Sequence, residues 1–494
     1  KIFMGENCSA LRRYISREFV KMPERLKQFR PARDIKVLLI ILLLAALCGI
    51  LSLFWKFWFV FTCILFVILF MYFSKGFKDI MNIHSVAISL IVVYAVPSTV
   101  LILLGEIPVS DTELMLLLSS ISIGLIGYSF GTFFTRKLFP FWKTRKAHFS
   151  NKANTLFWMA YRYRYILALI SAIIYLGQGF MPTSMSYGES ITYRMETPGV
   201  IQYFNALASA VFSLLLIAII SIVGDIKKHK KLSLLSYLLI LFVIVAIIGG
   251  QRIWIIALFG CLLIAFSTIM KRKHFILVVA LSVVLVFVLS GGVRYARSMQ
   301  GGIGGNLKGF IEYFSTPKTL RDIMWGCSDF TLPFSSFVDF VKNMPDKMHF
   351  HYNAYINDFS LLIPTIIYPT RPLPYSKWYM KVFYPELYAI GAGHSFYVIG
   401  FGYLFGGPLG VLLHLFLFGI LFELINELLK TIGGAAAIFL YSFFFAQLFA
   451  FVTSCGFASF IKTSIIMYFL VPLFLLLLFV MFLNMLRPRR VKSE

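Results

Sequence analysis

Charge is scarce in this chain. Lys and Arg number 46 and Asp and Glu 21 in 494 residues, so 14% are charged while 59% are hydrophobic. A soluble protein of this length carries roughly a quarter charged residues, which excludes an ordinary soluble enzyme. Cysteine is scarce too, and six do not make a disulfide framework. Cys48, Cys63 and Cys261 fall inside apolar runs and read as small packing residues. Cys8 falls in the basic N-terminal segment, and a Cys327–Cys455 bridge is left open. Familiar catalytic signatures are missing: no G-x-x-x-x-G-K-[ST], no H-E-x-x-H and no Cys/His group with zinc spacing, and no serine elbow of the G-x-S-x-G type is expected. A reaction here has to draw its energy from its substrate or from a gradient. Gradient-coupled carriers keep ionisable residues at mid-membrane, whereas Asp79, Glu106, Asp111, Asp225, Glu423 and Glu427 are expected at or near span ends. His414, alone in an apolar run, reads as a hydrogen-bonded core residue rather than a proton relay. No metal and no cofactor is implied.

What is present is apolar length. Runs such as Val37 to Phe54, Phe275 to Ser290 and Ser464 to Leu486 approach or exceed the ~18 residues needed to cross hydrocarbon, and mean hydropathy is +0.84. The expected fold is an all-α polytopic bundle of about twelve spans, near 37–55, 57–73, 84–104, 113–135, 165–180, 200–223, 232–249, 253–270, 275–290, 404–426, 434–453 and 464–486. The first run follows a polar, basic segment, so it is not read as a cleavable signal peptide. Aromatic residues, 17% of the chain, crowd the span ends as interfacial anchors do.

The net charge of +25 is distributed by side. One set of alternate connections holds the N-terminal bases, Lys75, Lys78, the 136–164 segment, Lys227 to Lys231, Lys271 to Lys273 and the C-terminal tail. The short loops of the other set hold little more than Lys56, Arg194, Arg252 and Lys462, and carry the acids Glu106, Asp111, Glu113, Glu189 and Glu196. By the positive-inside rule the first set is cytoplasmic, which explains the charge without a nucleic-acid partner and leaves anionic membrane lipids as its counterpart. The expected division is a cytoplasmic segment 1–36, spans over 37–290, an outer loop 291–394, spans over 395–486 and a cytoplasmic tail 487–494.

Outward arginines stand against this bias. Arg252, in Gly249-Gly250-Gln251-Arg252, lies in so short a connection that its guanidinium belongs at the outer face. Arg294 and Arg297 follow Gly291-Gly292 at a similar depth, and three guanidiniums at one level suit a diphosphate. Pairing with Glu312 or Asp322, or with lipid headgroups, is the structural alternative. The loop is rich in aromatics, with helix-like spacing at Leu307–Phe314 and Ser328–Val341 and proline-broken chain around Pro364 and Tyr368-Pro369-Thr370-Arg371-Pro372. Aromatics beside polar groups suit sugar rings, and membrane anchoring explains many of them equally. His394 stands in Gly391-Ala392-Gly393-His394-Ser395 as a candidate base, with Asp358 a weaker one. The glycine run from Gly400 to Gly410 implies close backbone approach or a broken helix.

Over roughly 245–425, the "GGQR", the "YPTRP", the "GHS…GFGYLFGGPLG" and an Arg294–Gly305 spacing of R-x10-G type resemble bacterial O-antigen polymerases of the Wzy type. The resemblance implies a glycosyltransferase of the inner (plasma) membrane that moves a growing glycan from undecaprenyl diphosphate onto an incoming lipid-linked repeat unit. It implies catalytic roles for His394, Arg252 and Arg294, substrate contacts at Arg297, Arg371, Tyr368 and Gln251, and a chain-length regulator as partner. An O-antigen ligase-like enzyme and a lipid-linked oligosaccharide flippase are the rival readings. A flippase needs a polar passage through the whole bilayer and no long outer loop.

Overall fold

In the computed structural model, residues 55–73, 82–138, 146–179, 214–248, 302–326, 328–344, 349–363, 367–389, 396–453 and 456–486 are described, with short stretches between 260 and 295. Among them the chain is all-helical, without a strand. Gln251, Arg252, Arg294, Arg297, His394, Cys327 and Cys455 lie outside the described residues, as do most of the expected spans at 37–55 and 200–223.

Seven helices position the site. They are α1 (Ile83–Leu103), α2 (Asp111–Leu138), α3 (Ser328–Asn343), α4 (Ala354–Ser360), α5 (Val398–Ile432), α6 (Gly434–Val452) and α7 (Phe457–Met485). Of these, α1, α2, α5, α6 and α7 are long and apolar enough to cross a membrane. Local chemistry explains the starts. The Asn82 side chain accepts from the His84 amide at 2.8 Å and caps α1. Before α2, Glu113 accepts from the Ser110 amide at 2.7 Å while Ser110 Oγ accepts from the Glu113 amide at 3.3 Å, a reciprocal capping box.

The centre of the bundle is the α2–α5 contact, and glycine makes it close. A Cβ on Gly127 would sit 2.3 Å from the Leu412 carbonyl oxygen, and one on Gly131 2.1 Å from that of Phe416. Gly419 answers from α5, where a Cβ would meet the Tyr128 carbonyl at 2.2 Å. This is small-residue packing of backbone on backbone. The same stretch of α2 carries a spacing found in nucleophile elbows. Gly127-Tyr128-Ser129-Phe130-Gly131 does have G-x-S-x-G spacing. The segment is continuous helix, however, and Ser129 Oγ donates to the Leu125 carbonyl at 2.8 Å, so no strand-to-helix elbow presents a nucleophile.

Helix α5 is longer than the expected 404–426 span and is broken. Gly407 takes φ 60°, which glycine tolerates, and with Gly406 it interrupts the helix before Pro408. The arms on either side fold against each other: a Cβ on Gly410 would stand 2.2 Å from the Gly402 carbonyl oxygen. Both readings of the glycine run, close approach and a broken helix, are present together.

The short arm is deep. Tyr397, just before it, donates its hydroxyl to the Ile91 carbonyl at 2.7 Å, and Ile91 lies near the middle of α1. Its amide donates to Ser336 Oγ of α3 at 3.1 Å. Helix α3 packs beside α1 with Phe334, Phe337 and Phe340 buried. The apolar face that the helix-like spacing of 328–341 implies is covered here by protein.

Candidate functional site

Two polar regions lie along the long arm of α5. Glu423 sits towards the end where Arg136, Lys137 and Lys430 gather, called here the basic end. His414 sits nearer the break, beside α4, at what we call the loop end.

At the basic end, Glu423 is fully buried and saturated. Its carboxylate accepts from Arg136 Nε at 2.8 Å and Arg136 Nη2 at 3.2 Å, and from Asn426 at 3.3 Å. His84 Nε2 stands 2.5 Å from the same carboxylate, and His84 Nδ1 is 2.9 Å from the Tyr128 hydroxyl. Three helices, α1, α2 and α5, meet in this network. Glu423 was expected at a span end; α5 instead runs on to Ile432, which leaves the carboxylate inside the bundle. A charge buried there persists only when paired and hydrogen-bonded, and this one is.

At the loop end, α4 carries Tyr355 and Asp358 three residues apart, on one helical face. The Tyr355 hydroxyl is 2.6 Å from His414 Nδ1. The Asp358 carboxylate accepts from the Ala458 amide at 2.6 Å, the Ser459 amide at 3.1 Å and Ser459 Oγ at 2.7 Å, and so caps α7. Gly456 admits this approach, since a Cβ there would lie 2.3 Å from the Asp358 carboxylate. Burial pushes the Asp358 carboxyl up from its ordinary value, and the hydrogen bonds from Ser459 and the amides oppose the shift. A carboxylate so occupied is an anchor for α4, not a free base.

Past α4 two cations converge. Lys462 Nζ donates to the Leu361 carbonyl, and Arg371 Nη1 approaches the same oxygen at 3.4 Å and the Ile363 carbonyl at 3.1 Å. Among the described residues neither forms an ion pair. One cation is enough to close the C-terminus of a short helix. Lys462 also opens a π-helical stretch, Ile461–Leu470, a geometry frequent at functional sites.

His414 is fully buried, and its Nε2 has no hydrogen-bond partner among the described residues. Leaving a buried polar atom unpaired costs about 1–3 kcal/mol. Below His414, Phe418, Phe422, Phe444, Phe451 and Phe460 are all buried. Phe418 and Phe451 centroids stand 4.6 Å apart, and Phe422 and Phe451 4.9 Å. This aromatic stack separates the two polar regions.

Comparison with protein-family models, curated proteins and solved structures returned no match.

Of the residues expected from the sequence, Arg371 and Tyr368 are described, as is Asp358, the weaker candidate base. Arg371 joins Lys462 at Leu361, while Tyr368 is exposed in a turn where the Arg371 amide donates to its carbonyl at 3.4 Å. The structure adds Lys462, Tyr355 and His414. Lys462 shows the same signal that singled out Arg252, a cation against the charge bias. Many loop aromatics expected to suit sugars are instead core: Phe334, Phe337, Phe340 and Tyr379 are buried, and Tyr379 donates to Asp339 at 2.5 Å. Partly exposed are His351 and Trp378, with ring centroids 4.5 Å apart. Burial pushes the His351 imidazole below its ordinary value.

Proposed function

We propose that this chain is a membrane glycosyltransferase that polymerises lipid-linked oligosaccharide repeats. In this reading about twelve spans hold the loop end at the outer face of the plasma membrane, with both termini in the cytoplasm. The acceptor hydroxyl oxygen forms a bond to the anomeric carbon of the growing glycan. The bond from that carbon to the lipid diphosphate breaks, the diphosphate leaves with the electron pair, and the hydroxyl proton passes to a base. Arg252, Arg294, Arg297 and His394 keep the roles the family resemblance implies, with Gln251 and Tyr368 as further contacts and a chain-length regulator as partner.

The observation that carries the reading is the meeting of Arg371 and Lys462 on one carbonyl, with no carboxylate paired to either among the described residues. Two cations in one place favour an anion with several acceptor oxygens, and a diphosphate leaving group supplies it. The aromatic stack beneath His414 supports transfer at one face over passage across the bilayer. The test is reconstitution of the purified protein with an undecaprenyl-diphosphate-linked repeat, read as a ladder on a gel. A ladder with release of undecaprenyl diphosphate, lost when Arg371 and Lys462 are both alanine, is expected. Movement of the lipid-linked sugar between leaflets with no ladder would make the protein a flippase.

A further inference from the structure

Tyr355 and His414 take no part in the reaction as set out above, yet their arrangement is specific. His414 spends one imidazole nitrogen on the Tyr355 hydroxyl at 2.6 Å and leaves the other without a partner among the described residues. Its surroundings are aromatic: Phe401 at 4.9 Å and Phe418 at 5.1 Å between ring centroids. An apolar side chain would fill such a slot with no orphaned nitrogen, so what the imidazole adds is its bond to Tyr355. Tyr355 itself is half-buried, its ring held between Phe405 at 4.7 Å and Phe401 at 5.6 Å. A phenol has one donor and two acceptor sites, so the bond to His414 leaves capacity for a ligand.

Further rings pack beside this point. Tyr375 stands 5.4 Å from Phe401 and 5.7 Å from Trp378, and Asn357 donates to the Tyr375 hydroxyl at 3.2 Å. Tyr375 and Phe401 are buried and back the half-buried rings of His351 and Trp378, which with half-buried Asn357 are the groups left to take the C–H face and hydroxyls of a sugar. Leu361, where the two cations meet, lies six residues beyond Tyr355, about 9 Å along a helical axis at ~1.5 Å per residue. That is roughly the reach of one sugar ring with its substituents.

We propose that Tyr355 hydrogen-bonds a non-reacting hydroxyl of the acceptor sugar, and that His414 is the positioning residue that aims the phenol; the assignment rests on the glycan reading of this end. Kinetics of transfer at saturating donor, with acceptor varied, are to be measured beside calorimetric binding of the soluble repeat oligosaccharide to the full-length protein. Tyr355→Phe is expected to raise the acceptor KM and weaken sugar binding about tenfold, the worth of one hydrogen bond, with kcat and donor KM little changed. His414→Leu should do the same and add nothing to Tyr355→Phe. His414→Asn, which keeps an acceptor oxygen near the Nδ1 position, should recover most of the loss. An unchanged acceptor KM and unchanged sugar affinity in Tyr355→Phe would overturn the proposal while leaving the polymerase reading standing. Sugar binding that is lost in Tyr355→Phe, in a protein that makes no ladder, would overturn the polymerase reading and keep the subsite. Absence of both ladder and sugar binding in the wild-type protein would overturn both.

Discussion

Glu423 and His414 sit on the same helix, nine residues and about 13 Å apart, yet they live in opposite circumstances. At the basic end every part of Glu423 is answered: Arg136 in a two-pronged contact, His84, and Asn426, with Tyr128 behind the histidine. At the loop end the answers run short. His414 has one nitrogen without a partner, and Arg371 and Lys462 share a carbonyl with no ion pair among the described residues. Saturation is what a buried charge needs to hold three helices together, whereas unspent hydrogen-bonding capacity at a partly open surface is what a ligand uses. The difference marks the basic end as architecture and leaves the loop end as the place where the proposed chemistry would act.

Substitutions break the comparison if they exchange these roles. The largest expected effect is that of Glu423→Ala. It strands Arg136 and His84 and should cost about 3–5 kcal/mol in unfolding measured in detergent, while any surviving folded protein keeps its affinity for the soluble repeat. Unchanged stability would mean the cluster is no lock. Next comes Gly127→Val, which drives side-chain atoms into the Leu412 carbonyl; overpacking of about 1–3 kcal/mol is expected from the same unfolding measurement, again without change in ligand handling. Asp358→Ala removes the cap of α7 and should cost about 1 kcal/mol. Because α4 then loosens, its effect on sugar binding should exceed its effect on stability, which sharpens the contrast.

Arg371→Ala and Lys462→Ala should each shift stability by no more than about 0.5 kcal/mol, as surface changes do, and yet shorten or abolish glycan ladders. A large loss of stability with normal ladders would return both cations to helix capping. The smallest effect is a pH dependence at His351. Its folded pKa lies below the ordinary value through burial, so the neutral ring's contribution is complete above the ordinary histidine pKa. That contribution is lost as pH falls from there through the folded value. Thermal stability should therefore decline over that window in the wild type, and decline less in His351→Gln.

Much of the helical layout was readable in the residues. The expected spans at 57–73, 84–104, 113–135, 434–453 and 464–486 correspond to helices Trp55–Phe73, Ile83–Leu103, Asp111–Leu138, Gly434–Val452 and Phe457–Met485. The glycine run around Gly406-Gly407-Pro408 marks a break, because backbone torsions are decided by neighbours in the chain. The candidate site was less legible. Arg371 was singled out through the family resemblance; Lys462 carried a charge against the side bias that went unused, and Tyr355 carried no signal, being one tyrosine among 25.

Hydropathy and local caps, both set by short windows of chain, are enough to make the described residues all-helical, with helices long and apolar enough to cross a membrane. They are enough because transfer into hydrocarbon and the satisfaction of helix ends are local free energies. Pairings are not local. Arg136 meets Glu423 across 287 residues, Asp358 meets the Ala458 amide across 100, and Tyr355 meets His414 across 59. Only the packing of α2 on α5, and of α4 on α5 and α7, determines which of these polar groups are spent on one another.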